Sequence, residues 1–251
     1  MNTKNINAIP ISTIPVINAG DNMVELIINA IEETKIEIMD KDVFVIASKV
    51  VSKTENRMVK AADVKVSKIA EQIAERNKFD PIHVELALRE SKKVIRTDGV
   101  LITETQSGLI CNFSGVDKSN APEGEYILLP QNPDESAADI LSSLMNETGK
   151  TLAVIISDTQ GRPWRRGSIN VAIGCAGINA FKHNKGKRDL QGRVLKRSTV
   201  CQVDEIASLA EPLMGQAGER VPVVIVRGYE YQAGEENVKD IVRSKEDDLF
   251  R

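Results

Sequence analysis

Histidine is scarce in this chain of 251 residues: only His83 and His183 occur, far apart in sequence. That excludes an H-E-x-x-H zinc site and argues against a Ser-His-Asp device, so catalysis must rest on carboxylates, lysines and arginines, with or without metal. The three cysteines, Cys111, Cys175 and Cys201, are odd in number, widely spaced and form no C-x-x-C pair. Neither a disulfide framework nor a zinc ribbon is supported, inert packing is the expected role of Cys111 and Cys201, and a reducing, cytoplasmic setting is expected. Aromatics make up 4% of the chain, with a single tryptophan. A basic excess is also missing, because the formal net charge is −3. A nucleic-acid-coating protein is thereby disfavoured. Long apolar runs are absent too. Leu152–Ile156 and Val221–Val226 are far shorter than the ~20 residues of a membrane span. The segment Met1–Ile9 lacks the basic stretch and apolar core of a signal peptide. With 27% charged and 41% hydrophobic residues, the composition is that of a globular protein able to bury a large core without staples.

Hydrophobic spacing supplies the elements. Val24, Ile27, Ile28 and Ile31 follow a helical period, with Asp21 as the candidate N-cap. Val66, Ile69, Ala70 and Ile73 mark another helix, capped by Asp63. Asp80-Pro81 predicts an N-cap with proline at the first helical position of a helix over 81–90. Ala137, Ile140, Leu141, Leu144 and Met145 mark a further helix. Asp204–Leu213 reads as amphipathic, strained or ended early by Pro212. Val43–Ala47, Leu152–Ser157 and Val223–Val226 read as buried strands. Val100–Thr105 and Leu109–Phe113 predict a hairpin. Lys239–Arg251 reads as a solvated helix or frayed tail. The order is not a regular βα alternation. It predicts an α+β fold of mixed sheets with packed helices, in one catalytic unit over 1–251. Two intertwined subdomains remain an open option, with no linker to mark their boundary.

Four segments could carry chemistry. Ser48-Lys49-Val50-Val51-Ser52-Lys53 directly follows a buried strand, where ligand crevices form; it is either a polar loop or a compact cation site for phosphate. Gly115–Gly124 holds Asp117 and Asn120, which suit a self-bonded turn or hard oxygen ligands. In Ile155–Arg162 an apolar strand gives way to Asp158-Thr159, a pairing suited to Mg²⁺ or Mn²⁺ beside phosphates. A cationic loop follows, with Arg162, Arg165 and Arg166 around Trp164; arginine forks suit phosphate or carboxylate. Leu213–Pro222 is a glycine-punctuated loop that either caps a helix at Gly215 or lets backbone N–H groups approach phosphate. Together these groups suit the neutralisation and positioning of phosphates.

The same segments, in this order, resemble the coenzyme F420-0:L-glutamate ligase family. The resemblance rests on Ser48–Lys53, Gly115–Asn120, the run Ile156–Gly167, Ala172-Ile173-Gly174, Asp189–Arg193, Asp204–Ala207, Met214-Gly215 and Val221–Gly228. It covers nearly the whole chain and looks like the stand-alone ligase. The resemblance implies a GTP-dependent amide ligase that adds L-glutamate to the lactyl-phosphate-linked carboxylate of the deazaflavin coenzyme, then a second in γ linkage. It implies Mg²⁺ or Mn²⁺ at two sites, help from K⁺, and an intertwined homodimer. By position it assigns GTP binding to Ile14, Pro15, Val16, Ile17, Ser48, Lys49, Lys53, Asn120 and Met214, Gly215, Gln216, Ala217, Gly218, Glu219, Arg220 and Val221. Asp117 and Asp158 would hold one metal, and Thr159 and Gln216 would contact a second. Gln216 offers a neutral amide where some relatives carry an acid. Lys53, Arg165 and Arg166 join the two aspartates as catalytic candidates, the arginines as holders of the acceptor's phosphate or carboxylate. Another nucleotide-dependent carboxylate–amine ligase, or a phosphotransferase on a different phosphorylated acid, is the competing reading.

Overall fold

A computed structural model describes residues 5–250. Residues 1–4, part of the Met1–Ile9 reading, and Arg251 at the end of the tail reading lie outside them. The architecture is α+β, with mixed and antiparallel sheets and six α-helices among the described residues. The main sheet has five strands in the order β1 (Asn7–Ile11), β12 (Val223–Arg227), β2 (Val43–Ala47), β8 (Ala153–Arg162) and β9 (Arg165–Ala176). Only β2 and β8 run parallel; every other pairing in this sheet is antiparallel. Val43–Ile46, Ala153–Ile156 and Val223–Val226 are fully buried, so both faces of the sheet centre are covered. Pro10, which has no N–H to donate, sits in edge strand β1, where sheets tolerate proline.

Helices α1 (Met23–Thr34), α5 (Pro133–Thr148) and α6 (Gln202–Met214) pack on this sheet, and α1 also meets α5. A second, smaller core gathers around Val84, Leu86, Leu101, Val116 and Tyr126. Its side chains come mainly from α3 (Lys68–Asn77), α4 (Pro81–Glu90), β7 (Glu125–Ile127) and adjoining loops, and the sheet β4 (Ser91–Arg96), β5 (Ile102–Thr105) and β6 (Ile110–Asn112) lies beside α4. Strand β3 (Met58–Lys60) pairs with β7, and β10 (Phe181–His183) pairs with β11 (Thr199–Cys201).

The expected hairpin, the three buried strands and the Asp80-Pro81 helix start are all present. Several details differ. Asn22, not Asp21, caps α1, accepting from the N–H groups of Val24 and Glu25; Asp21 instead accepts from the Asn18 N–H. Ser67, not Asp63, caps α3 through the Ala70 N–H, and Asp63 lies in a short 3₁₀ helix. Ile69 faces solvent, and Ala70 and Ala74 form the buried side of the helix. Pro212 does not end α6, which runs to Met214 with the proline inside it; only the bond that its missing N–H would have made to the Ser208 carbonyl is lost. Residues 48–54 form helix α2 (Ser48–Thr54), not a loop. The arginine-rich run is the tip of the long β8–β9 hairpin, so Asp158 lies within a strand and does not end it. In the C-terminal segment Ile241 and Val242 pack against the main core instead of fraying. All three cysteines are free; burial pushes the thiols of Cys111 and Cys201 up to about 12 and raises that of Cys175. No helix among the described residues is long and apolar enough to cross a membrane.

One ion pair anchors the sheet. Asp42, wholly buried before β2, accepts two bonds from Arg227 at the end of β12, at 2.8 and 2.7 Å, and one from the Met39 N–H at 2.9 Å. Removing the arginine leaves a buried carboxylate with no countercharge, a change that costs about 3–5 kcal/mol in comparable sites. Arg227→Met should therefore lose stability on that scale in urea unfolding. The double change Asp42→Leu/Arg227→Met should recover part of the loss; equal losses for both would show that the pair does not control this edge.

Candidate active site

The site begins with strand register. The parallel pairing sets Ala47 opposite Ser157, so the next residues of both chains, Ser48 and Asp158, emerge side by side. The Ser48 hydroxyl donates to Asp158 Oδ1 at 2.7 Å. Ser48 opens α2, and the next turn of that helix carries Lys49 and Lys53 along the same side as the cleft. The cleft measures about 880 Å³. It is walled by the strap Ile14–Ile17, by α2, by Asn120, by Asp158 and Thr159, and by the loop after α6.

Asp117 arrives from the second core. Its backbone is clamped to Ile127 by reciprocal N–H···O bonds of 2.9 and 2.8 Å. His83 Nε2 contacts the Val116 carbonyl at 2.8 Å, and its ring stacks on Phe113 at 4.2 Å between centroids. Asp80, the N-cap of α4, accepts from Tyr126 Oη at 2.6 Å and from Lys118 Nζ. Burial raises the Asp80 pKa, but bonds from Lys118, Tyr126 and the Ile82 N–H outweigh it and hold the value near about 2. This knot fixes the residues on either side of Asp117. The Asp117 side chain accepts from the Ser119 N–H and hydroxyl, each at 2.8 Å, the self-bonded turn expected from the sequence. Lys49 Nζ reaches Asp117 Oδ2 at 2.7 Å and also contacts the Ser119 hydroxyl.

Charges in the cleft perturb one another. Burial raises the Asp117 carboxyl, but Lys49 and Ser119 override it and hold the pKa below the ordinary value. Asp158 goes the other way. Burial, reinforced by Asp117, pushes it up to about 6 against the pull of Ser48 and Lys49. Burial and the charge of Lys49 lower the pKa of Lys53.

Thr159, Asn170 and Gln216 form a cluster of oxygens. Thr159 Oγ1 lies 2.8 Å from Asn170 Oδ1 and 3.0 Å from Gln216 Oε1. The single hydroxyl proton can serve only one of these two acceptors. A hard cation would suit the three oxygens, and Asp117 and Asp158 supply the anionic oxygens such ions favour. Among the described residues no group of three His, Cys, Asp or Glu side chains is placed to hold a metal ion, so hydroxyl and amide oxygens would have to join the carboxylates as ligands. The donor chemistry fits Mg²⁺ or Mn²⁺ sharing ligands with substrate phosphates and water.

Seventeen of the sequence-assigned residues line this one cleft: Ile14, Pro15, Val16, Ile17, Ser48, Lys49, Lys53, Asn120, Asp158, Thr159, Met214, Gly215, Gln216, Ala217, Gly218, Arg220 and Val221. Asp117 touches it through Lys49. Glu219 instead folds back inside its own loop, accepting from the Ala217 N–H at 2.8 Å. Gly215 ends α6 at φ 68° and ψ 179°, a backbone conformation that is essentially glycine's alone, so only glycine leaves the loop its shape. Arg165 and Arg166 stand outside the cleft at the hairpin tip. Asn170 and Lys60 are cleft residues that sequence reasoning missed. A hairpin reading of 153–176 would have found Asn170, since the register sets it opposite Thr159.

The raised Asp158 pKa has a stability consequence. The unfolded chain releases this proton near 3.8 and the folded chain near about 6, so metal-free stability falls as pH rises between those values. Asp158→Asn should therefore gain on the order of 1–3 kcal/mol over the parent chain near pH 7.5 and little near pH 4. Urea unfolding at the two pH values tests this; a difference that does not change with pH overturns it.

Comparison with known proteins agrees with this arrangement. The family model described as F420-0:Gamma-glutamyl ligase matches residues 12–228. A protein of Methanothermobacter thermautotrophicus named Coenzyme F420:L-glutamate ligase is 43% identical over 249 residues, covering 98% of this chain and 99% of its own length. Proteins of the same name from Methanocaldococcus jannaschii and Archaeoglobus fulgidus are 41% and 37% identical, over 95% and 98% of this chain and 94% and 96% of theirs. With the match spanning the cleft and both cores, the chain belongs to the F420-0:gamma-glutamyl ligase family of carbon–nitrogen bond-forming ligases.

Proposed function

We propose that this chain uses GTP to ligate L-glutamate to the carboxylate of coenzyme F420-0, through an acyl phosphate. The observation that carries the reading is the cleft itself. It joins lysines, the Asp158 carboxylate and a glycine-bearing loop in one cavity large enough for a nucleoside triphosphate, with Asp117, its pKa shifted the opposite way, bonded to Lys49 at its edge.

A carboxylate is a poor acyl donor because its leaving group would be oxide. Transfer of the γ-phosphoryl group of GTP onto the carboxylate oxygen releases GDP and creates a phosphate leaving group. Attack by the glutamate amine then forms the amide and releases phosphate. Each residue class has a part in this sequence. The apolar strap Ile14–Ile17 offers a wall to a base. Lys49, Lys53 and Lys60 offset phosphate charge, and the pKa of Lys53 is lowered first by burial and then by the neighbouring charge of Lys49. The loop Gly215–Val221 brings backbone N–H groups within reach of phosphate. Asp117 and Asp158 would hold one divalent ion, and Thr159, Asn170 and Gln216 a second. When bound, such ions neutralise charge moving onto the leaving GDP. Glu219 is better assigned to shaping this loop than to touching nucleotide. K⁺ dependence and a homodimer follow from the resemblance alone.

Incubation with GTP, L-glutamate, Mn²⁺ and glutamate-free coenzyme should yield GDP and phosphate in step with a product heavier by one or two glutamyl units. GTP loss with no glutamyl product in the mass spectrum overturns the reaction. Asp158→Asn should lower turnover by ~10²-fold or more, the scale set by removing a preorganised charge. Light scattering should return a dimer mass at working concentration.

A further inference from the structure

Away from the nucleotide cleft, the β8–β9 hairpin tip has an unusual surface. Trp164, the only tryptophan, is 78% exposed and meets Phe250, itself 66% exposed, at 5.4 Å between ring centroids. Leu249 beside it is also exposed. Two exposed aromatic rings in a chain with so few aromatics need a reason, because large apolar side chains left together in water mark binding surfaces. Phe250 also lines a groove of about 300 Å³ between the C-terminal segment and β9, with Leu109, Val171 and Val242 in its walls. Three arginines stand around the rings. Arg162 is turned back onto the carbonyls of Arg166 and Gly167. Arg165 and Arg166 make no side-chain hydrogen bond or ion pair among the described residues. The surface thus couples aromatic faces to unspent guanidinium groups, the chemistry that holds a planar ring bearing a phosphate.

Position fits the same ligand. β8 ends at Arg162, four residues beyond Asp158 or about 13 Å at ~3.3 Å per strand residue, and Trp164 follows two residues later in the turn. A ligand whose ring rests on Trp164 can therefore run a linker down the hairpin and present its far end at the cleft.

We propose that Trp164 and Phe250 form the docking platform for the deazaflavin ring of the acceptor, with Arg165 and Arg166 on its phosphodiester. This deepens the reaction proposed above and rests on that reading for the identity of the ligand. The aromatic platform orients the acceptor and leaves nucleotide binding to the separate cleft.

Fluorescence polarisation of the glutamate-free coenzyme, titrated with protein in the absence of nucleotide, tests this. Trp164→Ala and Phe250→Ala should each weaken coenzyme binding about tenfold, as loss of one stacking partner does, and Trp164→Phe should recover most of it. Arg165→Gln/Arg166→Gln should weaken the phosphorylated coenzyme but not the phosphate-free deazaflavin riboside, whereas Trp164→Ala should weaken both. GDP affinity should stay unchanged in all four variants. Unchanged coenzyme affinity in Trp164→Ala and Phe250→Ala overturns the platform, as does absence of binding by the parent chain. Loss of a dimer in Trp164→Ala with unchanged coenzyme affinity assigns the rings to a contact between copies and also overturns it. Coenzyme binding that follows these variants, in a chain that forms no glutamyl product, keeps the platform and removes the reaction. Product formation with acceptor KM unmoved in Trp164→Ala keeps the reaction and removes the platform.

Discussion

The parallel pairing of β2 with β8 is the constraint on which the site depends. Two antiparallel neighbours would bring the start of one strand beside the end of the other. A parallel pair in register Ala47↔Ser157 runs both chains the same way, so the residue that leaves β2 to start α2 and the acid that continues β8 meet without any loop having to place them. Both strands are buried on both faces through this stretch, and a slip of one residue would turn every side chain to the opposite face of the sheet. The hydrophobic core thereby sets the position of Ser48 against Asp158. The Asp42–Arg227 pair guards the same register from the other end, since it joins the entry of β2 to the exit of β12.

Elements whose signal is local were legible in the sequence. Asp80-Pro81 states a cap and a first helical turn in two residues, and α4 starts there. Continuous apolar runs gave away β2, β8 and β12 because strands covered on both faces need no alternation. Capping was less legible where two polar residues compete. Asp21 and Asn22 are adjacent, and the choice turned on Asp21 being engaged by the Asn18 N–H. Strand β9 escaped notice because it changes environment midway. Its first half, Arg165–Ser168, is exposed, and its second half, from Asn170, enters the core. No single periodicity describes such a strand. Helix α2 was hidden for a related reason: seven residues are too few for an amphipathic pattern to show.

For the cleft, the residues that came together were legible as motifs but not as a surface. Lysines after a strand, an aspartate–threonine pair and a glycine loop each have ordinary explanations in isolation. Their convergence depends on long-range pairing, which no window of sequence contains. Asn170 illustrates the limit. It is one asparagine among several until the hairpin register sets it opposite Thr159, where it completes a group of three oxygens sharing one proton.

The two cleft aspartates belong to different cores. Asp158 rises from the five-stranded sheet, and Asp117 is held by the cluster containing Val116 and Tyr126. Lys49, carried by the sheet side, spans the gap to Asp117. Anything that binds both aspartates therefore also binds the two halves of the molecule to each other. Occupancy of the cleft and cohesion between the cores become linked quantities, and by reciprocity a methyl group removed from the smaller core, far from any ligand, would register as a change in ligand affinity.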